Sequence, residues 1–96
     1  MNKKDLVERI AHDANLTRAQ AARALHVFVD SVERSLREGG RVTLSGFGTF
    51  ALSRRKAHTV RDPRNGGTLT IPPRRVARFT PGNDLRTAVE RGPEAA

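Results

Sequence analysis

The stretch KAHTVRDPRNGGTLTI, Lys56 to Ile71, constrains the fold more than any other part of the chain. It carries Lys56, Arg61 and Arg64, a proline near its middle and a glycine pair, with few large apolar side chains. It cannot line a core. Yet strand-like alternation brackets it, with Val42, Leu44, Phe50 and Leu52 before it and Leu69 and Ile71 at its end. A long hairpin satisfies both facts. It leaves the body, turns at Asp62-Pro63-Arg64-Asn65-Gly66-Gly67 and returns as a strand.

The charge follows the same segment. The chain has 96 residues and a net charge of +8. Residues 41–78 hold nine Lys/Arg against one acid, Asp62, and the rest of the chain holds nine of each. A neutral body with one basic segment is the footprint of a polyanion ligand. The nine residues from Arg54 to Asp62 extend roughly 30 Å, close to one turn of duplex DNA at about 34 Å. An isolated two-stranded ribbon is marginal in water, so this arm should order on its ligand.

The remaining segments read as a body. Asn2 caps a helix whose apolar positions are Leu6, Val7, Ile10, Ala11 and Ala14. Asn15 and Leu16 interrupt it. Thr17 and Gln20 form a capping box for a second helix, with Ala21, Leu25, Phe28, Val29, Val32 and Leu36 on one face. Gly39-Gly40 ends it. The period then becomes two through Val42 and Leu44, a Ser45-Gly46-Phe47-Gly48 turn and a strand from Thr49 to Arg55. Val76 and Phe79 resume the core. Pro81-Gly82-Asn83-Asp84 opens a short helix with Leu85, Ala88 and Val89 on its buried side, and residues 91–96 read as a flexible tail. The expected class is α+β, as one domain over residues 1–90 with an arm at about 54–75.

Without the arm and the tail, about 68 residues remain, with no Trp or Tyr. A domain of that size buries roughly 60% of its unfolded surface and is marginal alone. An obligate two-fold dimer would supply the missing burial. Its expected interface is Leu25, Phe28, Val29, Val32 and Leu36 on the second helix, with Leu44, Phe47, Phe50 and Phe79 on the strands and turn.

VTLSGFGTF (Val42 to Phe50), RDPRNG (Arg61 to Gly66), TIPP (Thr70 to Pro73) and FTPGNDL (Phe79 to Leu85) resemble the HU and integration host factor family of bacterial DNA-bending proteins. The resemblance runs over residues 1–90 in order. It implies an intertwined homodimer or heterodimer: helices form its base, a three-stranded antiparallel sheet its body, and two β-arms wrap double-stranded DNA. Family members of this kind insert apolar wedges into the minor groove. On this chain the resemblance places the intercalating proline at Pro63 and the basic tip residue at Arg61. The arm stem falls on Ser53, Arg55 and His58, and the returning strand on Pro72 to Arg75, including Arg74 and Arg75. A phosphate clamp falls on Lys3, Gly46, Phe47, Gly48, Thr80, Gly82 and Asn83. Arg64 and Asn65 complete the expected DNA contacts. The family carries Arg-Asn-Pro at the tip where this chain has Arg61-Asp62-Pro63.

Other chemistries find no support in the sequence. There is no cysteine, so disulfides and thiolate metal sites are excluded and no oxidising compartment is needed. His12, His26 and His58 share no metal-ligand spacing. No Ser-His-acid set assembles, and Asp62 has no second carboxylate for acid–base work. SGFG lacks the glycine spacing and the lysine of a nucleotide loop. The N-terminal acids and amphipathic pattern read as a helix, not a leader. No cofactor and no enzymatic activity are expected, and the expected location is the bacterial nucleoid, in the cytoplasm. The expected function is a sequence-tolerant DNA architect, with a sequence-selective bender like integration host factor and a structural RNA or ribosome-associated protein with a basic hairpin as the alternatives.

Overall fold

The computed structural model describes residues 1–93. In chain order, α1 spans Lys3–Asp13, α2 Arg18–Arg37, β1 Arg41–Leu44, β2 Gly48–Arg55, β3 His58–Arg61, β4 Thr68–Ile71, β5 Arg74–Pro81 and α3 Asn83–Arg91. The chain divides into two compact units, residues 1–34 and the residues from Ser35 onward.

In the N-terminal unit both helix starts are fixed by side chains, as their sequences predict. The Asn2 side chain accepts from the Asp5 N–H at 2.9 Å, and the Asp5 carboxylate accepts from the Asn2 N–H at 3.2 Å. Thr17 and Gln20 exchange the same pair of bonds at 2.9 and 3.1 Å. Between the helices Asn15 adopts φ 56°, a left-handed conformation that asparagine tolerates. The helix charges form a solvated face. Arg9 and His12 both meet Asp13, whose carboxyl is held below its ordinary range by the His12 hydrogen bond first and that of Arg9 second.

The second unit begins with the end of α2. The Gly40 N–H donates to the Ser35 carbonyl at 2.8 Å and the Gly39 N–H to the Leu36 carbonyl at 3.0 Å. Gly39 sits at φ +85°. This double closure needs a left-handed residue, which is what glycine supplies. Three antiparallel strands follow in the order β1-β2-β5, and β3 and β4 pair separately as a two-stranded ribbon. Lys56-Ala57 and Pro72-Pro73 interrupt the pairing between sheet and ribbon. Proline has no N–H to give to a ladder, so the arm is jointed at its root.

Phe50 pairs with Phe79 across β2 and β5. Their ring centroids lie 4.8 Å apart, and Phe47 lies 5.5 Å from Phe79. The turn bearing Phe47 locks onto the start of α3. The Gly46 carbonyl accepts from the Asp84 and Leu85 N–H groups at 3.0 and 3.2 Å, and the Phe47 carbonyl accepts from the Gly82 N–H at 2.8 Å. This approach leaves no room for side chains. A Cβ on Gly82 would stand 2.5 Å from the Gly46 carbonyl oxygen, and one on Gly48 would stand 2.5 Å from the Phe79 ring. Gly82→Ala therefore has to move backbone, and a loss of roughly 1–3 kcal/mol is expected in chemical denaturation. An unchanged midpoint would refute the lock.

Burial is where one chain falls short. Among the described residues, Ala21 is the only apolar side chain that is fully buried. The chain exposes 8150 Å², whereas a compact monomer of its mass exposes about 5,500 Å². Two expectations are corrected here. Ala88 and Val89 do not face a core within the chain: Leu85 is half-buried, but Ala88 is exposed and Val89 is 71% exposed. Arg91 belongs to α3 rather than to a tail, because the helix closes only at Gly92, whose N–H donates to the Ala88 carbonyl. Residues 94–96 of the expected tail lie outside the described residues.

Candidate nucleic-acid interface

Strand register decides which basic residues act together. Side chains alternate along a strand, and directly paired residues share a face. One face of β2 and β5 carries the pairs Phe50–Phe79, Leu52–Ala77 and Arg54–Arg75. The other carries Thr49–Thr80, Ala51–Arg78, Ser53–Val76 and Arg55–Arg74. Strand β1 adds Arg41, paired with Ala51, and Thr43, paired with Thr49. The hydroxyls of Thr43 and Thr49 meet at 3.3 Å, which confirms their common face.

The face away from the phenylalanines is thus largely polar and basic, and it also carries Ala51 and Val76, so Val76 does not join Phe79 on the core face as the sequence suggests. This face holds Ser53, Arg55, Arg74 and Thr80 of the expected site. Arg41 and Arg78 join them, and sequence reading had left both out. For Arg78 the signal was present, two residues from Thr80 on its own strand, whereas Arg41 is placed only by its register with Ala51. No carboxylate lies within ion-pairing distance of Arg41, Arg55, Arg74 or Arg78 among the described residues.

Arg75 differs from its neighbour Arg74. It lies on the phenylalanine face, and its Nη2 donates to the Arg37 carbonyl at 2.6 Å and lies 3.5 Å from that of Leu36. A guanidinium there satisfies the Arg37 carbonyl at the C-terminus of α2 and complements its dipole. Its observed role is to cap a helix. At the arm root, Arg54, Arg55, Arg74, Arg75 and Pro73 line a recess of about 430 Å³. Like charges paired directly across strands repel. An anion bound at this root relieves that repulsion.

The ribbon has two unlike faces. His58, Val60, Leu69 and Ile71 share one; Thr59, Arg61, Thr68 and Thr70 share the other. His58 and Arg61, both expected contacts, therefore point to opposite sides. At the tip, the Asp62 N–H donates to the Gly67 carbonyl at 2.8 Å, and the Asn65 side chain accepts from the Gly67 N–H at 2.8 Å. Pro63 and Arg64 stand exposed at the end of the loop.

The expected phosphate clamp changes character. The Phe47 N–H is engaged by the Leu44 carbonyl at 3.0 Å, and the Gly82 N–H by Phe47. The N–H groups of Asp84 and Leu85 go to Gly46, and that of Arg86 to Gly82. These backbone donors build the turn and are not open to an anion. Gly46, Gly48 and Gly82 shape the surface, while Thr80 and Asn83 present exposed side chains beside it. Lys3 is exposed at the start of α1, in the N-terminal unit.

Comparison with known proteins agrees with this arrangement. The family profile described as bacterial DNA-binding protein matches residues 1–90. The DNA-binding protein HU-beta of Salmonella typhimurium is 46% identical over 89 residues, covering 93% of this chain and 99% of that protein. DNA-binding protein HRL18 of Rhizobium leguminosarum is 43% identical over 89 residues, covering 93% and 98%. Among solved structures, an Anabaena HU–DNA cocrystal superposes with a TM-score of 0.84 at 34% identity, covering 97% of this chain and 99% of that one. A V42I mutant of HU from Thermotoga maritima gives 0.70 at 27% identity, covering 93% and 99%. Over nearly its whole length, then, this chain belongs to the bacterial DNA-binding protein family that contains the HU proteins.

Proposed function

We propose that the protein is an architectural binder of double-stranded DNA that wraps and bends the duplex with two basic β-arms, largely without regard to sequence. One observation carries this reading. The entire net charge lies between residues 41 and 78, on the strands and the projecting ribbon, and no helix among the described residues offers a row of base-reading side chains. Phosphate contacts from such a surface give affinity without sequence information. The Anabaena relative's complex with DNA supports it. The protein works as a binding scaffold and not as an enzyme.

The working form is a dimer. In the N-terminal unit, Phe28 and Val29 of α2 are 39% and 44% exposed. In the second unit, Leu44, Phe47 and Phe79 are 38%, 45% and 37% exposed. Large apolar side chains exposed in such number mark an interaction surface, and a second copy would cover it. A two-fold pair presents two arms, which suits a duplex gripped from both sides. No helix among the described residues is long and apolar enough to cross a membrane. A nucleoid location in the bacterial cytoplasm follows from the DNA ligand.

Energy transfer between dyes at the ends of a random-sequence duplex of about 35 base pairs tests the proposal. Transfer should rise on binding and fall again with added salt. Binding without a rise would leave only coating or bridging. A random duplex that competes much worse than a natural site would indicate a selective bender, and equal competition by duplex RNA would indicate the RNA reading. Pro63→Ala should retain most of the affinity and lose a large part of the transfer at saturation, because an apolar wedge bends DNA by unstacking a base step. Full transfer with Pro63→Ala would sink the wedge.

A further inference from the structure

The arm tip buries a charge. Asp62 is 5% exposed, the one buried polar or charged side chain among the described residues. Residues 54–61 and 63–70, on either side of it, are all exposed. Every polar group of Asp62 is engaged within the tip. Its N–H donates to the Gly67 carbonyl, and its carbonyl accepts from the Gly66 N–H at 3.0 Å. Its carboxylate Oδ1 accepts from the Arg64 N–H at 2.9 Å and stands 3.7 Å from the Arg64 Nε.

Pro63 lies between these two residues and has no N–H of its own. It makes no bond that could orient it, so its direction is inherited from the Asp62–Arg64 closure. The charge-assisted bond to the Arg64 N–H is the stronger link. The ion pair to the guanidinium is weak, since the Arg64 side chain is 86% exposed. A phosphate can therefore take the guanidinium while the turn stays closed. We propose that Asp62 is a positioning residue: it presents Pro63 as a preformed wedge and holds Arg64 in partial neutrality until DNA arrives. This rests on the DNA-bending function above. It also gives the acid a use in a basic arm, where it would otherwise only repel phosphates.

Asp62→Asn and Asp62→Ala separate the two roles. The asparagine side-chain oxygen still accepts from the Arg64 N–H, but its charge no longer holds the guanidinium. Asp62→Asn should bend DNA as the wild type does and bind several-fold more tightly. Its log–log salt slope should steepen by about 0.9 per tip. Asp62→Ala also frees Arg64, so its salt slope should steepen equally, yet its energy transfer at saturation should fall toward that of Pro63→Ala. The ribbon is a separate sheet from the body, so the thermal midpoint should be the same for all three proteins. Undiminished transfer with Asp62→Ala, or loss of transfer with Asp62→Asn, would overturn the positioning role. An unchanged salt slope in both would overturn the hold on Arg64. Amide exchange on the free proteins keeps the test independent of DNA: the Arg64 amide should be protected in the wild type and in Asp62→Asn, and lose protection in Asp62→Ala. Equal exchange in all three would refute the closure even if the wild type failed to bend DNA, a failure that would count against the proposed function instead.

Discussion

Phe79→Asp should abolish the folded dimer. Phe79 is the hub of the aromatic cluster, its ring in tilted contact with those of Phe47 and Phe50. It closes over Gly48 so tightly that no side chain fits there. A carboxylate in this position has no cation to meet and must be desolvated on dimerisation, at a cost of several kcal/mol. A small domain has only about 5–15 kcal/mol of stability in total, and a chain whose described residues include one fully buried apolar side chain draws most of that from its partner. Circular dichroism at micromolar concentration should show the cooperative melt lost, and sedimentation should show no dimer. Phe79→Leu, which keeps the surface apolar, should still dimerise with a lowered midpoint. The wild-type midpoint should rise with protein concentration, as mass action requires of a dimer that folds as it forms. A folded, stable Phe79→Asp monomer would refute the whole account of the core.

Much of this fold is legible because its signals are local. The boxes at Asn2/Asp5 and Thr17/Gln20 announce two helix starts, and Gly39-Gly40 announces an end, because each satisfies specific backbone groups within six residues. Period-two alternation marks β1 and β2 for the same reason. What the sequence hides depends on partners far along the chain or on another chain. Ala88 and Val89 have the spacing of a buried face, yet both are exposed among the described residues of one chain. Arg74 and Arg75 are chemically identical neighbours. Only the register with β2 sends one to the basic face and the other to the end of α2. Phe47 and Gly82 lie in glycine-rich segments that look ready for phosphate, but the Phe47 N–H goes to the Leu44 carbonyl within its own turn and the Gly82 N–H goes to the Phe47 carbonyl. Asp62 reads as a stray acid in a basic arm until its bonds within the tip are seen.

The same register argument sets the second large effect. Arg55→Ala with Arg74→Ala removes two unpaired cations from the basic face, four in a dimer. Each phosphate contact contributes about 0.9 to the slope of log affinity against log salt, so losing four should flatten that slope by roughly 3.6. At about 0.1 M salt the same loss amounts to between three and four orders of magnitude in affinity, on every sequence alike. Arg54→Ala with Arg75→Ala removes the same formal charge one position away and should behave differently. These side chains lie on the phenylalanine face, and Arg75 is bound to the last carbonyls of α2. Its loss leaves the Arg37 carbonyl without its cap, so the melting midpoint should fall by an amount equivalent to about 1–2 kcal/mol, with a much smaller change in salt slope. Titrations of both double variants at four salt concentrations, with a melt of each, decide the matter. Equal slopes for the two would mean that net charge, and not the face that carries it, is what the DNA reads.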